Sequence, residues 1–162
     1  MPTLHLTTFI EAPAQRVFDL SRSITFHETS MAHTGERAIA GVTSGLIGLN
    51  ETVTWEATHF FKKRILESKI TAMEPYHFFE DTVVKGDFAS LRHEHHFKQV
   101  ANGTIMIDLF NFESPYGQMG KLANTLFLTR YLRTLLQKRN LLVKQYAETD
   151  LWKKVLTQTV TA

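Results

Sequence analysis

From Asn50 to Glu113 the chain alternates polar and apolar residues almost without a break, and the interruptions are short groups holding Gly, Pro, Asn, Asp or Lys. A period of two belongs to strands whose faces meet different surroundings, so this stretch must fold as strands joined by tight turns. Thr52 to Phe60 puts Val53, Trp55, Ala57 and His59 on one side, with Thr54, Glu56 and Thr58 on the other. A two-residue turn at Lys62-Lys63 sets Phe61 against Arg64, His59 against Leu66 and Trp55 against Ile70. A turn at Glu74-Pro75 sets Ile70 against Phe79, Ser68 against Asp81 and Leu66 against Val83. Lys85-Gly86-Asp87, a three-residue turn, places Val83 by Leu91, Asp81 by His93 and Phe79 by His95. Asn102-Gly103 is the strongest turn signal, because both residues tolerate positive φ, and it sets Phe97 against Asp108, His95 against Phe110 and His93 against Phe112.

One face therefore collects Trp55, His59, Ile70, Phe79, Asp81, His93, His95, Phe97, Met106, Asp108, Phe110 and Phe112. The opposite face carries Glu56, Glu67, Lys69, Glu80, Arg92, Glu94, His96 and Lys98, and belongs in water. Large aromatics interrupted by histidines and aspartates suit a concave ligand cavity better than a dry core, since a buried carboxylate is costly without partners. The alternative is a core whose His-Asp pairs satisfy one another.

The apolar face needs a cover, and the run from Tyr116 to Ala147 supplies one. Leu, Lys, Arg, Gln and Ala fill Gly120 to Ala147 without proline, after a stop signal at Ser114-Pro115-Tyr116-Gly117. At a helical period Met119, Leu122, Ala123, Leu126 and Phe127 form one stripe, and Leu128, Leu132, Leu135, Leu142 and Tyr146 form another. Two stripes mean that the helix rotates between its halves or serves two surfaces, the second being a ligand, a subunit or a lipid. Leu122 and Leu126 join the expected ligand-binding set. Lys121, Arg130, Arg133, Lys138, Arg139 and Lys144 make the helix basic, which reads as a solvated face or as contact with an anionic surface.

Ahead of the strands, Thr3 to Glu11 alternates as a first strand with Leu4, Leu6, Thr8 and Ile10 on one face. Pro13 opens a short helix through Ser21 carrying Val17, Phe18 and Leu20. Thr25-Phe26-His27-Glu28 has the spacing of a capping box at the start of a second helix. Glu36 to Ala40 reads as a short strand, and the glycines at 41, 45 and 48 as a flexible loop at the cavity entrance. That loop lacks the Lys-Ser/Thr ending of a phosphate cradle.

A chain of 162 residues suits one domain with a real core. Its net charge of +2 is too weak to argue for nucleic acid, and the absence of cysteine excludes disulfides, thiol catalysis and thiolate-bound metal. The amino terminus alternates instead of showing a charged segment and an apolar run, so the expected location is the cytoplasm. His93 and His95 share a face with Asp108 and invite a metal, but two histidines two apart on a strand are a weak signal, and no metal or other cofactor is expected. His93 beside Asp81, or His95 diagonal to Asp108, has the makings of an acid-base pair, making His93, His95, Asp81 and Asp108 the catalytic candidates. No nucleophile or oxyanion hole accompanies them, so lining a ligand is the preferred role.

Thr43-Ser44-Gly45-Leu46-Ile47-Gly48-Leu49, then Val53-Thr54-Trp55-Glu56-Ala57-Thr58-His59-Phe60, resembles bacterial members of the START-like (Bet v 1-like, SRPBCC) superfamily. Phe88 with Leu91-Arg92-His93-Glu94-His95-His96-Phe97, and Gly117 through Arg139, extend the resemblance over nearly the whole chain. It implies an α+β helix-grip fold, in which a curved antiparallel sheet of about six or seven strands wraps a long terminal helix and two short helices close one end. Residues 1–150 would form the domain and 151–162 a helix extension or tail. The implied function is binding, transport or sequestration of a hydrophobic small molecule such as a lipid or polyketide. The alternatives are a cyclase or dehydratase using a His-Asp pair, and a module binding an anionic lipid surface or a protein partner through the basic helix, with a homodimer as a further partner.

Overall fold

The computed structural model describes residues 2–113 and 121–157, with helix side chains from residue 125 onward. β1 (Thr3–Ile10) leads into α1 (Ala14–Ser21), α2 (Ile24–Ser30) and a single 3₁₀ turn at Ala32–Thr34. β2 (Arg37–Gly41), β3 (Thr52–His59), β4 (Lys62–Glu74), β5 (Phe78–Lys85), β6 (Ser90–Val100) and β7 (Gly103–Glu113) follow, then α3 (Lys121–Glu148) and α4 (Trp152–Leu156). The strands form one seven-stranded antiparallel sheet in the order β1-β7-β6-β5-β4-β3-β2. This is the helix-grip fold, with α3 laid across one face and α1 and α2 inserted between β1 and β2.

The alternation assigns faces correctly, although all four turns lie elsewhere than expected, the β5–β6 connection running over residues 86–89 instead of Lys85-Gly86-Asp87. The β3–β4 hairpin turns at Phe60-Phe61, with φ of 51° and 63°, and not at Lys62-Lys63. Trp55 consequently pairs with Leu66 instead of Ile70. Pro75-Tyr76-His77 forms the next connection, where Tyr76 has φ 68° and an irregularity between Ile70 and Ala72 takes up the extra residue. Ile70 thus pairs with Asp81 and not Phe79. The β5–β6 register is the expected one, with Asp81 opposite His93 and Phe79 opposite His95. Beyond β6 the turn uses Ala101-Asn102, which brings Phe97 to Met106, His95 to Asp108 and His93 to Phe110. The slips that move these cavity-face pairs are even-numbered, and an even slip keeps each side chain on its face.

Gly103 shows why that last turn lies elsewhere. Its φ is not positive, and what it supplies is the lack of a side chain, because a Cβ at this position would collide with the Ile10 carbonyl of β1. Pro13 caps α1 as its preceding residue. In α2 the expected capping box does not form. Ser23 caps the helix by accepting from the Phe26 N–H at 3.0 Å, while Thr25 Oγ1 accepts from Gly45 N–H and Glu28 Oε1 accepts from Ala38 N–H. Thr25 and Glu28 therefore tie neighbouring segments to the helix. The glycine loop is fastened rather than free: Ile24 N–H donates to Gly45 O, Ile47 N–H to Arg22 O, and Gly48 N–H to the Glu51 carboxylate.

Among the described residues it is the Leu128 stripe of α3 that packs on the sheet. Leu128, Leu132 and Leu136 meet Leu4, Leu91, Phe110 and Phe112, whereas Val143 and Ala147 sink among Phe18, Phe97 and Met106. Leu126 and Phe127, from the other stripe, are 58% and 61% exposed. Met119 and the turn at 114–117 lie outside the described residues, as do the side chains of Leu122 and Ala123. α4 returns to α1, where the Arg16 guanidinium covers the Trp152 ring at 4.3 Å. Gly103→Ala should lower stability by about 1–3 kcal/mol, the usual range for forced overpacking, in urea unfolding followed by circular dichroism.

Candidate functional site

A cavity of about 360 Å³ lies between the sheet and the carboxyl-terminal helix. Its walls come mainly from apolar side chains, among them Ile24, Val53, Trp55, Ala57, Leu66, Ile70, Phe79, Phe110, Leu132 and Leu135. Two groups of polar side chains break this surface, one supplied by the central strands and the other by the α2–β2 segment and the β3 end.

The central group is organised by Asp108, which has 0% exposure. His93 donates Nε2–H to Asp108 Oδ1 at 2.8 Å, and Asn140 Nδ2 donates to Asp108 Oδ2 at 2.7 Å. Arg139 bonds Asn140 Oδ1 at 3.1 Å and the Ser21 carbonyl at 3.1 Å, and its Nη1 stands 3.7 Å from Asp108 Oδ1. His95 donates Nε2–H to Asp81 Oδ2 at 2.9 Å and stacks on Phe79 with ring centroids 4.1 Å apart. Each histidine thus bonds the carboxylate diagonal to it, not the one directly across the ladder. His95 Nδ1 lies 3.2 Å from Asp108 Oδ1 but out of hydrogen-bonding alignment, and it is a buried polar atom with no bonded partner among the described residues.

Burial and the neighbouring His95 push His93 down from 6.5 to about 4 against the pull of Asp108, so at neutral pH it is an uncharged ring. With its Nε2–H given to Asp108, Nδ1 is left as the acceptor. Burial opposes ionisation of Asp108, but the bond from His93 and the proximity of His95 outweigh it and hold the carboxyl well below its usual range. Asp81 is lowered in the same way, burial being overcome by its bond from His95.

At the second group His27 Nε2 bonds Glu36 Oε1 at 2.6 Å, and the His27 ring stacks on Trp55 at 4.2 Å. His59 Nδ1 and the Tyr131 hydroxyl are 2.6 Å apart. Burial raises the Glu36 carboxyl, yet the charge and hydrogen bond of His27 prevail and lower it overall. Burial lowers His59, opposed by Glu36, and raises Tyr131. The two groups are separated by a stretch of wall to which β4 contributes Leu66, Ser68 and Ile70. From Leu66, opposite Trp55, to Ile70, opposite Asp81, β4 runs four residues, about 13 Å at the strand rise.

Among the residues expected to bind a ligand, Trp55, His59, Ile70, Phe79, Asp81, His93, His95 and Phe110 line the cavity. Phe97, Met106 and Phe112 are packed into the core behind it. Asp108 stands behind the wall and acts through His93 and Asn140. Leu126 points to solvent because the Leu128 stripe takes the sheet, and the Leu122 side chain lies outside the described residues. Arg139, expected on a solvated basic face, is buried at 5% exposure. It and Tyr131 fall within the Leu128, Leu132, Leu135, Leu142 stripe, and a polar residue at such a position is the sequence signal for both. Nothing in the pattern points to His27 or Glu36.

Asp81, His93 and His95 each place a donor atom within 4.8 Å of the others, a spacing that a cation could share. Asp81, and not Asp108, is thus the carboxylate of this group. Asp81 Oδ2 and His95 Nε2 already bond one another, and His95 Nδ1 is left without a bonded partner among the described residues.

Fold and cavity define a helix-grip protein with an internal cavity. The solved structures similar to it carry the same architecture. The crystal structure of TTHA0849 from Thermus thermophilus matches with a TM-score of 0.65 and 18% identity over 88% of this chain and 97% of that one. Ginseng major latex-like protein 151 from Panax ginseng gives 0.63 and 14%, over 91% and 98%. The Aha1 dimer from Colwellia psychrerythraea gives 0.59 and 11%, over 91% and 97%. The START-like, Bet v 1-like resemblance is thereby carried through at the level of the fold. No protein-family model matches the chain, and no curated protein does.

Because the folded His93 holds its proton less tightly than the unfolded ring, acidification from about 6.5 toward 4 favours the unfolded state. His59 acts with the same sign, and the depressed Asp81 and Asp108 carboxyls add to the loss only below about 4. Stability should therefore fall between pH 7 and 4.5, at up to about 1.4 kcal/mol per pH unit for each proton taken up. His93→Gln should flatten that slope in urea midpoints measured across the range.

Proposed function

We propose that the chain binds a hydrophobic small molecule, of the lipid or polyketide kind, in the cavity between sheet and helix. The observation that carries this is the 360 Å³ space itself, apolar over most of its wall with polar groups gathered at separate places. That volume falls within the range of small-ligand pockets, roughly 300–1,000 Å³. Apolar burial would supply affinity at roughly 25 cal/mol per Å². Arg139, Asp81, His93 and His95 would orient one polar group of the ligand, and His59 and Tyr131 another.

Native mass spectrometry of the purified protein, followed by organic extraction, tests this directly through a small molecule that copurifies. A second test uses a fluorescent apolar probe. Ala57→Phe, which pushes a ring into the space and removes none of its polar groups, should weaken probe binding about tenfold or more, while wild type binds one equivalent. If wild type and variant both fail to bind any apolar probe, the cavity is not a ligand site.

The second reading is acid-base chemistry of the cyclase or dehydratase type. It is supported by His93, held by Asp108 on the cavity wall with Nδ1 left as an acceptor; lowered to about 4 the ring is a weak base, suited to accept a hydrogen bond from the ligand or a proton from an acidic group on it. It predicts that His93→Ala or His95→Ala abolishes turnover of an identified ligand and leaves its binding nearly unchanged. Equal loss of both in ligand titrations would assign these residues to binding. The dimer formed by the Colwellia protein motivates a sedimentation measurement of this chain, whose expected partner is a second copy.

A further inference from the structure

The tip of the β3–β4 hairpin is built in an unusual way. Both central residues have positive φ, 51° at Phe60 and 63° at Phe61, where Asn, Asp or Gly is the ordinary choice and a bulky side chain is strained. Phe60 leans back on the helix, its ring centroid 4.6 Å from Tyr131 and 5.5 Å from Phe127. Among the described residues Phe61 makes no such ring contact, and at 103% exposure it projects into solvent. Leu126 and Phe127 are exposed on α3, and the Phe127 ring meets Phe60, so an apolar ridge runs from the hairpin tip to the first half of α3. Lys62, Lys63 and Arg130 stand exposed along this ridge. Glu56 engages Lys63 at 3.3 Å, and among the described residues no ion pair engages Lys62 or Arg130. Phe60, Arg64 and Tyr131 also line the cavity, which makes the ridge part of its rim.

We propose that this ridge docks on a membrane surface bearing anionic lipid, Phe61 entering the interfacial layer with Leu126 and Phe127 while Lys62, Lys63 and Arg130 meet the headgroups. A strained turn that spends its side chain on solvent is explained when that side chain has a partner outside the chain. A protruding ring needs a medium that closes around it, and a bilayer does so without a matching pocket. The cations select an anionic surface. A second copy of the chain is the poorer occupant, because a two-fold contact would set these same cations against one another. The inference goes beyond the carrier reading and does not depend on what the cavity holds.

The full chain should cosediment with phosphatidylcholine vesicles containing phosphatidylserine at low salt, and less at high salt or without the anionic lipid. Phe61→Gly is the informative variant, since glycine adopts this φ freely. It should unfold at an equal or higher urea concentration than wild type, yet its vesicle binding should fall roughly tenfold or more. Uptake of a fluorescent apolar probe by the cavity, unchanged in the variant, keeps a failure of docking distinct from a failure of the carrier reading. The proposal is overturned if wild type stays in the supernatant with anionic vesicles at low salt, or if Phe61→Gly binds them as well as wild type does. It is equally overturned if wild type sediments as a dimer that Phe61→Gly dissolves.

Discussion

A carboxylate with no solvent contact has to be met by donors, and Asp108 draws those donors from different parts of the chain. His93 comes from the neighbouring strand, Asn140 from the helix, and Arg139 ties the same point to the Ser21 carbonyl at the end of α1. Apolar contact between a helix and a sheet is non-directional and tolerates rotation. These bonds do not, because each fixes a distance and an angle in surroundings of low dielectric. The rotation of α3 is therefore set by polar geometry, which turns the Leu128 stripe to the sheet and leaves Leu126 and Phe127 exposed. It also explains the split core. Phe18, Phe97, Met106 and Val143 fill one side of the network, Leu4, Phe110, Phe112 and Leu136 the other.

The second polar group answers to different elements. Glu36 precedes β2, His27 lies in α2, and His59 and Tyr131 join the end of β3 to the first half of α3. Each end of the cavity is thus held by its own set of bonds across sheet and helix, and along β4 the span between them carries Leu66, Ser68 and Ile70, with no charged side chain. A ligand with two polar ends and an apolar middle matches that distribution, and a wholly apolar one would leave both ends bonded as they are now.

How much of this is legible in the sequence follows from which forces act locally. Period-two alternation reports a face, and the face carrying Trp55, Phe79, His93, His95, Asp108 and Phe110 comes out as expected, because register slips of even length leave facing unchanged. Turn position is another matter. Lys62-Lys63 is a better local turn than Phe60-Phe61, and Asn102-Gly103 a better one than Ala101-Asn102, but pairing of the whole strands outweighs the preference of two residues. Gly103 is visible as a glycine while its reason, the close passage of β1, lies more than ninety residues away in the chain. Arg139 reads with the basic residues of its helix, though its place among the leucines of the buried stripe marks it as different. His27 and Glu36 leave no pattern, since their partnership is created by the fold of α2 onto β2.

The pairing of β1 with β7 has a consequence for how the chain is made. Thr3 and Asn111, bonded to each other at the outer end of that ladder, are 108 residues apart. At a synthesis rate of 5–20 residues per second, β1 leaves the ribosome roughly 5–20 s before its partner exists. During that interval Leu4, Leu6 and Ile10 have no strand to lie beside, and the hairpins from β3 to β7 form without them. The sheet is closed at this edge by long-range pairing, which favours slow, late assembly of β1 over early local structure. Synthesis therefore leaves β1 as extended, unpaired chain until β7 has emerged, and the apolar side chains of β1 are the last of the sheet to be covered.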